Sequence, residues 1–300
     1  MSLPIFLELV EVKAKTASIL PFLIGMCFSY YAYGEVRPLY VGLYFIAMLL
    51  FNMFVDVWDN YNDYRHAVDL DYQEKTNIIG RENLSLPVVE RLMLVLFTLS
   101  LFIGLLLSWF LGWPLLVMGG FCYAIGIFYS SGPKPLSNLP LGEICSGFTM
   151  GFMITLICVY LNTAPHFIWN FQTLVQIFLI ALPNTLWIAN LMLANNLCDK
   201  EEDERNHRYT LVHYIGIKGG LYLFATANGV ALLAIVCQTW LGIAPPTCLL
   251  SLLLLPFIVK QTKLLYQKQV KSETFPCAIK ILALGSTMHV LTYALGIILP

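Results

Sequence analysis

Residues 92–111 read LMLVLFTLSLFIGLLLSWFL, an apolar run that contains no charged side chain. A helix of this length crosses the ~30 Å hydrocarbon core of a bilayer. Inside lipid a helix also satisfies its own backbone hydrogen bonds, which an open strand cannot do. The stretch therefore predicts a membrane-spanning helix.

Further apolar windows of the same kind occur along the whole chain. They lie at 16–34, 38–55, 113–129, 141–162, 173–194, 219–241, 243–259 and 277–299. Only 12% of the residues are charged, about half the share found in soluble globular proteins, so an ordinary soluble globule is excluded. The alternating pattern of a transmembrane β-barrel is absent. We predict an all-α, polytopic membrane protein with nine transmembrane helices, organised as a single membrane-embedded domain over residues 1–300.

The basic residues lie on alternate connections. Of the 17 Lys and Arg residues, all except Arg37 fall in the N-terminal tail, in the even-numbered connections or near the start of the last window. Cytoplasmic segments carry such an excess of Lys and Arg. The pattern predicts a multi-pass protein of the cell membrane, with the N-terminus in the cytosol and the C-terminus outside.

Many of the acidic residues form two clusters about 140 residues apart. The first reads NMFVDVWDNYND (residues 52–63) and the second reads NNLCDKEED (residues 195–203). Each contains the pattern Asn-x-x-x-Asp at the end of an apolar window, and each opens one of two long cytosolic loops, 56–91 and 195–218. Acidic groups this close to lipid are costly to place, so a functional site is the default interpretation.

Helical spacing would place the clustered oxygen ligands on one face of each helix. The residues concerned are Asn52, Asp56, Asp59 and Asp63 in the first cluster, and Asn195, Asp199 and Asp203 in the second. Carboxylate and amide oxygens suit Mg²⁺, which is often completed by substrate phosphates. A solvated helix end would explain any single Asp equally well, but the recurrence of the pattern favours a diphosphate site at the cytosolic face.

Basic residues stand near both clusters and are candidates to bind diphosphate oxygens. They are Arg65, Lys75, Arg81, Lys200, Arg205 and Arg208, although the topological positive charge explains most of them as well. Lys134 differs because it is the only basic residue of its connection, within the turn YSSGPKP (residues 129–135). It is a candidate phosphate ligand or proton donor.

These motifs together resemble the UbiA superfamily of intramembrane aromatic prenyltransferases, and the likeness covers essentially the whole chain. The turn at 129–135 followed by Leu-Gly-Glu at 141–143, and the second cluster followed by Arg-Tyr-Thr-Leu at 208–211, are most similar to 1,4-dihydroxy-2-naphthoate prenyltransferases, which make demethylmenaquinone. The chain departs from the pattern at Val55, where many relatives carry Asn. It also has Asn206-His207-Arg208 where relatives often have Gly-Lys-Arg.

The resemblance implies a UbiA-type helical bundle and an Mg²⁺-dependent reaction. Two Mg²⁺ ions would bridge the diphosphate of a polyprenyl diphosphate, whose prenyl group alkylates an aromatic acceptor with loss of CO₂ if that acceptor is dihydroxynaphthoate. Metal ligands are expected among Asn52, Asp56, Asp59, Asp63, Asn195, Asp199 and Asp203. Catalytic roles are expected for Asp56, Asp63, Asp199, Asp203, Tyr129 and Lys134, and substrate binding for Asn52, Asn195, Arg65, Lys75, Arg81 and Arg208.

Other functions fit parts of the sequence. The acceptor could be similar to 4-hydroxybenzoate or homogentisate instead. A cation transporter based on membrane carboxylates is a further alternative, although it predicts acids near mid-span and on both faces. A non-catalytic quinone-binding relative would have lost one of the acidic sets. No nucleic-acid partner is expected, and the sequence does not define prenyl chain length or oligomeric state.

Overall fold

The computed structural model describes residues 1–67 and 69–299, and within these ranges it contains helices but no strand. Nine helical segments in the described chain are long and apolar enough to cross a membrane. They are Val12–Tyr33, Pro38–His66, Leu86–Leu111, Trp113–Ser130, Gly142–Thr163, Phe171–Cys198, Leu211–Trp240, Pro246–Gln267 and Lys271–Ile298. The predicted all-helical membrane protein with nine spans is confirmed.

Several spans run beyond the apolar windows that predicted them. The second continues to His66 and the third begins at Leu86, so both ends of the connection predicted as loop 56–91 are helical. The same connection contains the short helix Ile78–Arg81. Hydropathy marks the part of a helix that lies in lipid, whereas backbone hydrogen bonding continues into the polar layer. The first acidic cluster, residues 52–63, is therefore held on the second span.

Some spans depart from regular α-helix. The fifth contains a π-helical segment at Gly147–Met153, and the eighth begins as a 3₁₀ helix at Pro246–Leu254. The seventh is kinked at Gly216, whose φ of 68° lies in the left-handed region. Only glycine adopts that conformation without steric strain, so this residue permits the kink.

The described chain divides into two compact units, the first formed by residues 1–16 and 38–137 and the second by residues 17–37 and 138–299. In the first unit, Phe54 and Val57 of the second span pack in a buried core with Ile79 and Met93. The indole N–H of Trp58 donates to the carbonyl of Ile127 at 3.1 Å. The second span is thereby fixed against its neighbours in this unit.

Gly126 allows the second and fourth spans to approach closely. A Cβ atom at Gly126 would lie 2.7 Å from the Phe51 ring and 2.9 Å from a methyl group of Val55. Val55, which departs from the residue common in the family, is therefore a packing residue against the fourth span. Its side chain belongs to this helix contact.

In the second unit, small residues let the fifth and sixth spans pack backbone to backbone. A Cβ atom at Gly151 would lie 2.4 Å from the Cα of Thr185, and one at Gly147 would lie 2.6 Å from the carbonyl oxygen of Thr185. Membrane helices associate through such close contacts because lipid provides little hydrophobic drive between them.

Buried amides add hydrogen bonds between the sixth, seventh and ninth spans of this unit. Gln238 donates to the carbonyl of Leu179 at 2.6 Å, and its oxygen lies 3.1 Å from a ring nitrogen of His289. Asn190 donates to the carbonyl of Phe224 at 2.9 Å. Polar side chains inside a bundle hold helices in one register because lipid offers them no partner. The sixth span, whose end carries the second acidic cluster, is therefore held in register with its neighbours.

Candidate active site

The first acidic cluster forms a stripe on the last turns of the second span. Asn52, Asp56, Asp59 and Asp63 all lie within the helix Pro38–His66, and all four are half-buried. Their spacing places them on one face of that helix. The prediction that these four side chains share one helix face is therefore confirmed.

Each carboxylate of this stripe has a partner within its own unit. The ammonium of Lys15 forms an ion pair with Asp56, and the hydroxyl of Ser130 donates to Asp59. The hydroxyl of Tyr72 donates to Asp63 at 3.2 Å. Burial, followed by the charge of Asp63, raises the pKa of the Tyr72 phenol, so this group stays protonated and remains a donor.

The second acidic cluster spans the end of the sixth span and the short helix that follows. The span ends at Cys198, Asp199 caps it, and a new helix covers Lys200–Arg205. The helical register survives this junction: the N–H of Asp199 donates to the carbonyl of Asn195 at 2.9 Å, and that of Asp203 donates to Asp199 at 2.8 Å. Asn195, Asp199 and Asp203 therefore remain at successive helical turns.

Asp203 is the most buried carboxylate of either stripe, with 6% of its surface exposed. Burial raises its pKa to about 6, although Arg208, whose Nε lies 3.5 Å from Oδ1, acts in the opposite direction. The second oxygen, Oδ2, is buried and has no hydrogen-bond partner among the described residues. A buried oxygen without a partner suits a bound cation.

A buried hydrogen bond also joins the second acidic cluster to the fifth span. The side-chain amide of Asn196 donates to Glu143 at 2.8 Å, and Glu143 is only 3% exposed. Asn196 belongs to the second cluster, whereas Glu143 lies in the first turn of the fifth span. The pair links the end of the sixth span to the fifth span within the second unit.

Two of the basic residues predicted to bind diphosphate pair with acidic residues outside the two stripes. Arg81 pairs with Glu8 at 2.6 Å and with Glu82 at 3.1 Å, and Lys75 pairs with Asp71 at 2.6 Å. Among the described contacts, these two residues thus bind acids outside the stripes.

Arg65 and Lys134 differ from those two residues. The guanidinium of Arg65 donates to the hydroxyl of Tyr61 at 3.2 Å. Lys134 is exposed in the turn after the fourth span, and Tyr129 is half-buried in the last turn of that span. Arg65 and Lys134 stay candidates for binding an anion.

The donor set fits Mg²⁺. Within the described residues, no three His, Cys, Asp or Glu side chains converge closely enough to hold a metal ion by themselves. Mg²⁺ does not need such a cage, because it usually keeps several waters and takes one or two carboxylates together with substrate phosphates. Taken one unit at a time, the half-buried carboxylates of the first stripe and the unpartnered oxygen of Asp203 have the chemistry of such ligands.

Comparison with known proteins decides the family. Residues 18–284 match the UbiA prenyltransferase family. The chain belongs to this family. A relative from Bacillus subtilis (strain 168), named 1,4-dihydroxy-2-naphthoate octaprenyltransferase, is 28% identical over 293 residues, which cover 95% of this chain and 88% of the relative. This UbiA-family protein is thus a prenyltransferase enzyme.

Solved structures agree with that fold. A UbiA homologue from Aeropyrum pernix has a TM-score of 0.71 at 16% identity, with 95% of this chain and 97% of the other covered. A UbiA homologue from Archaeoglobus fulgidus, bound to GPP and Mg²⁺, has a TM-score of 0.65 at 12% identity, with 98% and 99% covered. At these identities the likeness establishes the UbiA-type helical fold alone.

Sequence reasoning missed two lysines that pair with the acidic clusters. Lys15 pairs with Asp56 although 41 positions separate them, and Lys271 pairs with Asp199 across 72 positions. Both lysines lie beside apolar windows, where the sequence counts them only as cytosolic topological charge. A local spacing rule cannot join residues so distant, so only the folded chain pairs them.

Proposed function

We propose that this enzyme transfers a polyprenyl group from polyprenyl diphosphate to 1,4-dihydroxy-2-naphthoate, with loss of CO₂, to give the quinol form of demethylmenaquinone. The observation that carries this proposal is the recurrence of the acidic stripe, once in each unit, at a helix end. The named Bacillus subtilis relative supports the choice of acceptor. The reaction takes place in the cell membrane, with the active site at the cytosolic face.

The proposal assigns each unit its own metal ligands. In the first unit the proposed ligands are Asp56, Asp59, Asp63 and the amide of Asn52. In the second unit they are Asp199, Asp203 and Asn195. Two Mg²⁺ ions, when bound with substrate, supply positive charge that stabilises the departing diphosphate. The UbiA homologue from Archaeoglobus fulgidus, described with GPP and Mg²⁺, supports this choice of metal.

The remaining polar residues act on the diphosphate and on its environment. The proposed donors of hydrogen bonds to diphosphate oxygens are Lys134, Tyr129, Arg65 and Arg208. Lys75 and Arg81 pair with acids outside the stripes, so they would have to exchange those partners for the diphosphate. The allylic C–O bond breaks and its electron pair leaves with the diphosphate. The ring carbon that bears the carboxylate forms the new C–C bond, and CO₂ departs while its bonding electrons return to the ring.

Product analysis tests the acceptor. Purified enzyme with polyprenyl diphosphate, Mg²⁺ and 1,4-dihydroxy-2-naphthoate should release diphosphate, CO₂ and a prenylated quinol identified by mass spectrometry. We expect a chelator to abolish turnover and added Mg²⁺ to restore it, because the leaving group carries several negative charges. Parallel reactions with 4-hydroxybenzoate and homogentisate are the matched controls, and faster turnover of either would overturn the proposed acceptor.

Reporter fusions test the orientation. The distribution of Lys and Arg predicts the result at two positions. A reporter enzyme that works only outside the cell should be active when fused at the C-terminus, and one that works only in the cytosol should be active when inserted after residue 66. A reporter beside Arg37 is a second outer position. The reverse pattern would contradict a cytosolic active site while leaving the chemistry untouched.

A further inference from the structure

The leading aspartate of each Asn-x-x-x-Asp motif is paired with a lysine from a distant part of its own unit. Asp56 pairs with Lys15, which ends the 3₁₀ turn Val12–Lys15. Asp199 pairs with Lys271, the first residue of the ninth span. The same arrangement thus occurs once in each unit, although the two lysines come from unrelated segments.

The two pairs differ in exposure. The side chains of Lys15 and Asp56 are 6% and 21% exposed, whereas those of Lys271 and Asp199 are 56% and 11% exposed. Water screens a buried pair less than an exposed one, so the first pair is expected to be the stronger of the two. In both pairs the ammonium contacts an oxygen that is a candidate metal ligand.

Each lysine contacts one carboxylate oxygen, and an ammonium group and Mg²⁺ held at the same carboxylate repel each other, so each cation weakens the binding of the other. We propose that Lys15 and Lys271 are internal cations that compete with Mg²⁺ for Asp56 and Asp199. They thereby weaken the binding of metal alone and couple it to the arrival of a diphosphate.

In each unit, a phosphate group of the substrate is the anion that would receive the displaced ammonium group. Breaking the lysine–aspartate ion pairs therefore costs less binding free energy when Mg²⁺ binds together with diphosphate than when it binds alone. The inference rests on the proposed function, since it needs these aspartates to be metal ligands.

Calorimetry without prenyl substrate tests the competition. Mg²⁺ is titrated into purified protein, first alone and then with saturating inorganic pyrophosphate. In K271M we expect the affinity for Mg²⁺ alone to rise about three- to tenfold, because an ion pair that opposes binding is gone. The enhancement of Mg²⁺ affinity by pyrophosphate should fall in the same variant, since its displaced ammonium is missing.

Matched variants separate this effect from a general loss of positive charge. K271R keeps the charge and should behave as the wild type. K268M removes a lysine that pairs with Glu273 in the first turn of the ninth span, and K13M removes an exposed lysine two positions before Lys15. Both variants should leave the two affinities unchanged. K15M should raise the affinity for Mg²⁺ alone more than K271M does, because its ion pair is the more buried. Lys271 is exposed, so its variants are expected to fold and they carry the test.

Two failures can be told apart. If wild-type protein binds neither Mg²⁺ nor Mg²⁺ with pyrophosphate, the proposed metal-dependent function is wrong and this inference falls with it. If wild-type protein binds them, but K271M binds Mg²⁺ alone no more tightly, the lysines do not compete for the carboxylates. In that case the competition is overturned and the proposed function stands.

Discussion

Replacing Asp56 or Asp199 by alanine is expected to lower the rate of prenyl transfer by about 10²–10³-fold or more, the scale of losing a preorganised electrostatic contact to the leaving group. Each residue leads one acidic motif: Asp56 lies in the last turns of the helix Pro38–His66, and Asp199 caps the helix Phe171–Cys198. Its carboxylate is a proposed ligand for the metal that neutralises the diphosphate. Initial rates with saturating polyprenyl diphosphate and naphthoate, measured across a range of Mg²⁺ concentrations, are the measurement.

Glu201→Ala is the matched control because Glu201 is exposed within the same acidic segment as Asp199. We expect this variant to retain near wild-type rates. A loss in all three variants would indicate a general charge effect, whereas undiminished product in Asp56→Ala or Asp199→Ala protein would refute the assigned ligands. Asp56 pairs with the buried Lys15, so its removal can also destabilise the fold. The midpoint of thermal unfolding should therefore be measured for each variant alongside its rate.

Gly151→Ala is expected to destabilise the protein by about 1–3 kcal/mol, the usual cost of forcing an extra methyl group into a close-packed site. The new Cβ atom would lie 2.4 Å from the Cα of Thr185, a backbone atom that cannot move without shifting the sixth span. That span ends in the second acidic cluster. A lower midpoint of thermal unfolding in detergent or nanodiscs is the expected readout.

Gly229→Ala provides the comparison within the same unit. Gly229 is helical, and nothing lies within 4 Å of the position that its Cβ would take. Alanine there should be neutral or stabilising, since it restricts the unfolded chain more than glycine does. Equal midpoints for Gly151→Ala and Gly229→Ala would show that the fifth and sixth spans do not pack through Gly151.

Helix number and the position of the acidic motifs followed from local sequence. An apolar window such as 92–111 has few ways to satisfy its backbone in lipid, so the spans are predictable one at a time. The stripe from Asn52 to Asp63 was predictable because helical spacing depends only on neighbours along the chain. Helix ends were harder, since His66 and Leu86 lie outside the apolar windows that hydropathy detects.

The amino-acid sequence by itself determined the class of protein, the number of spans and the two acidic stripes, because each depends on short-range composition or spacing. Only the tertiary structure decided which groups meet those acids: Lys15 beside Asp56, Lys271 beside Asp199, and Asn196 beside Glu143. It also placed Val55 against Gly126 as a packing residue. Such contacts join residues far apart in the chain, and they form only when helices pack and ionic side chains lose water.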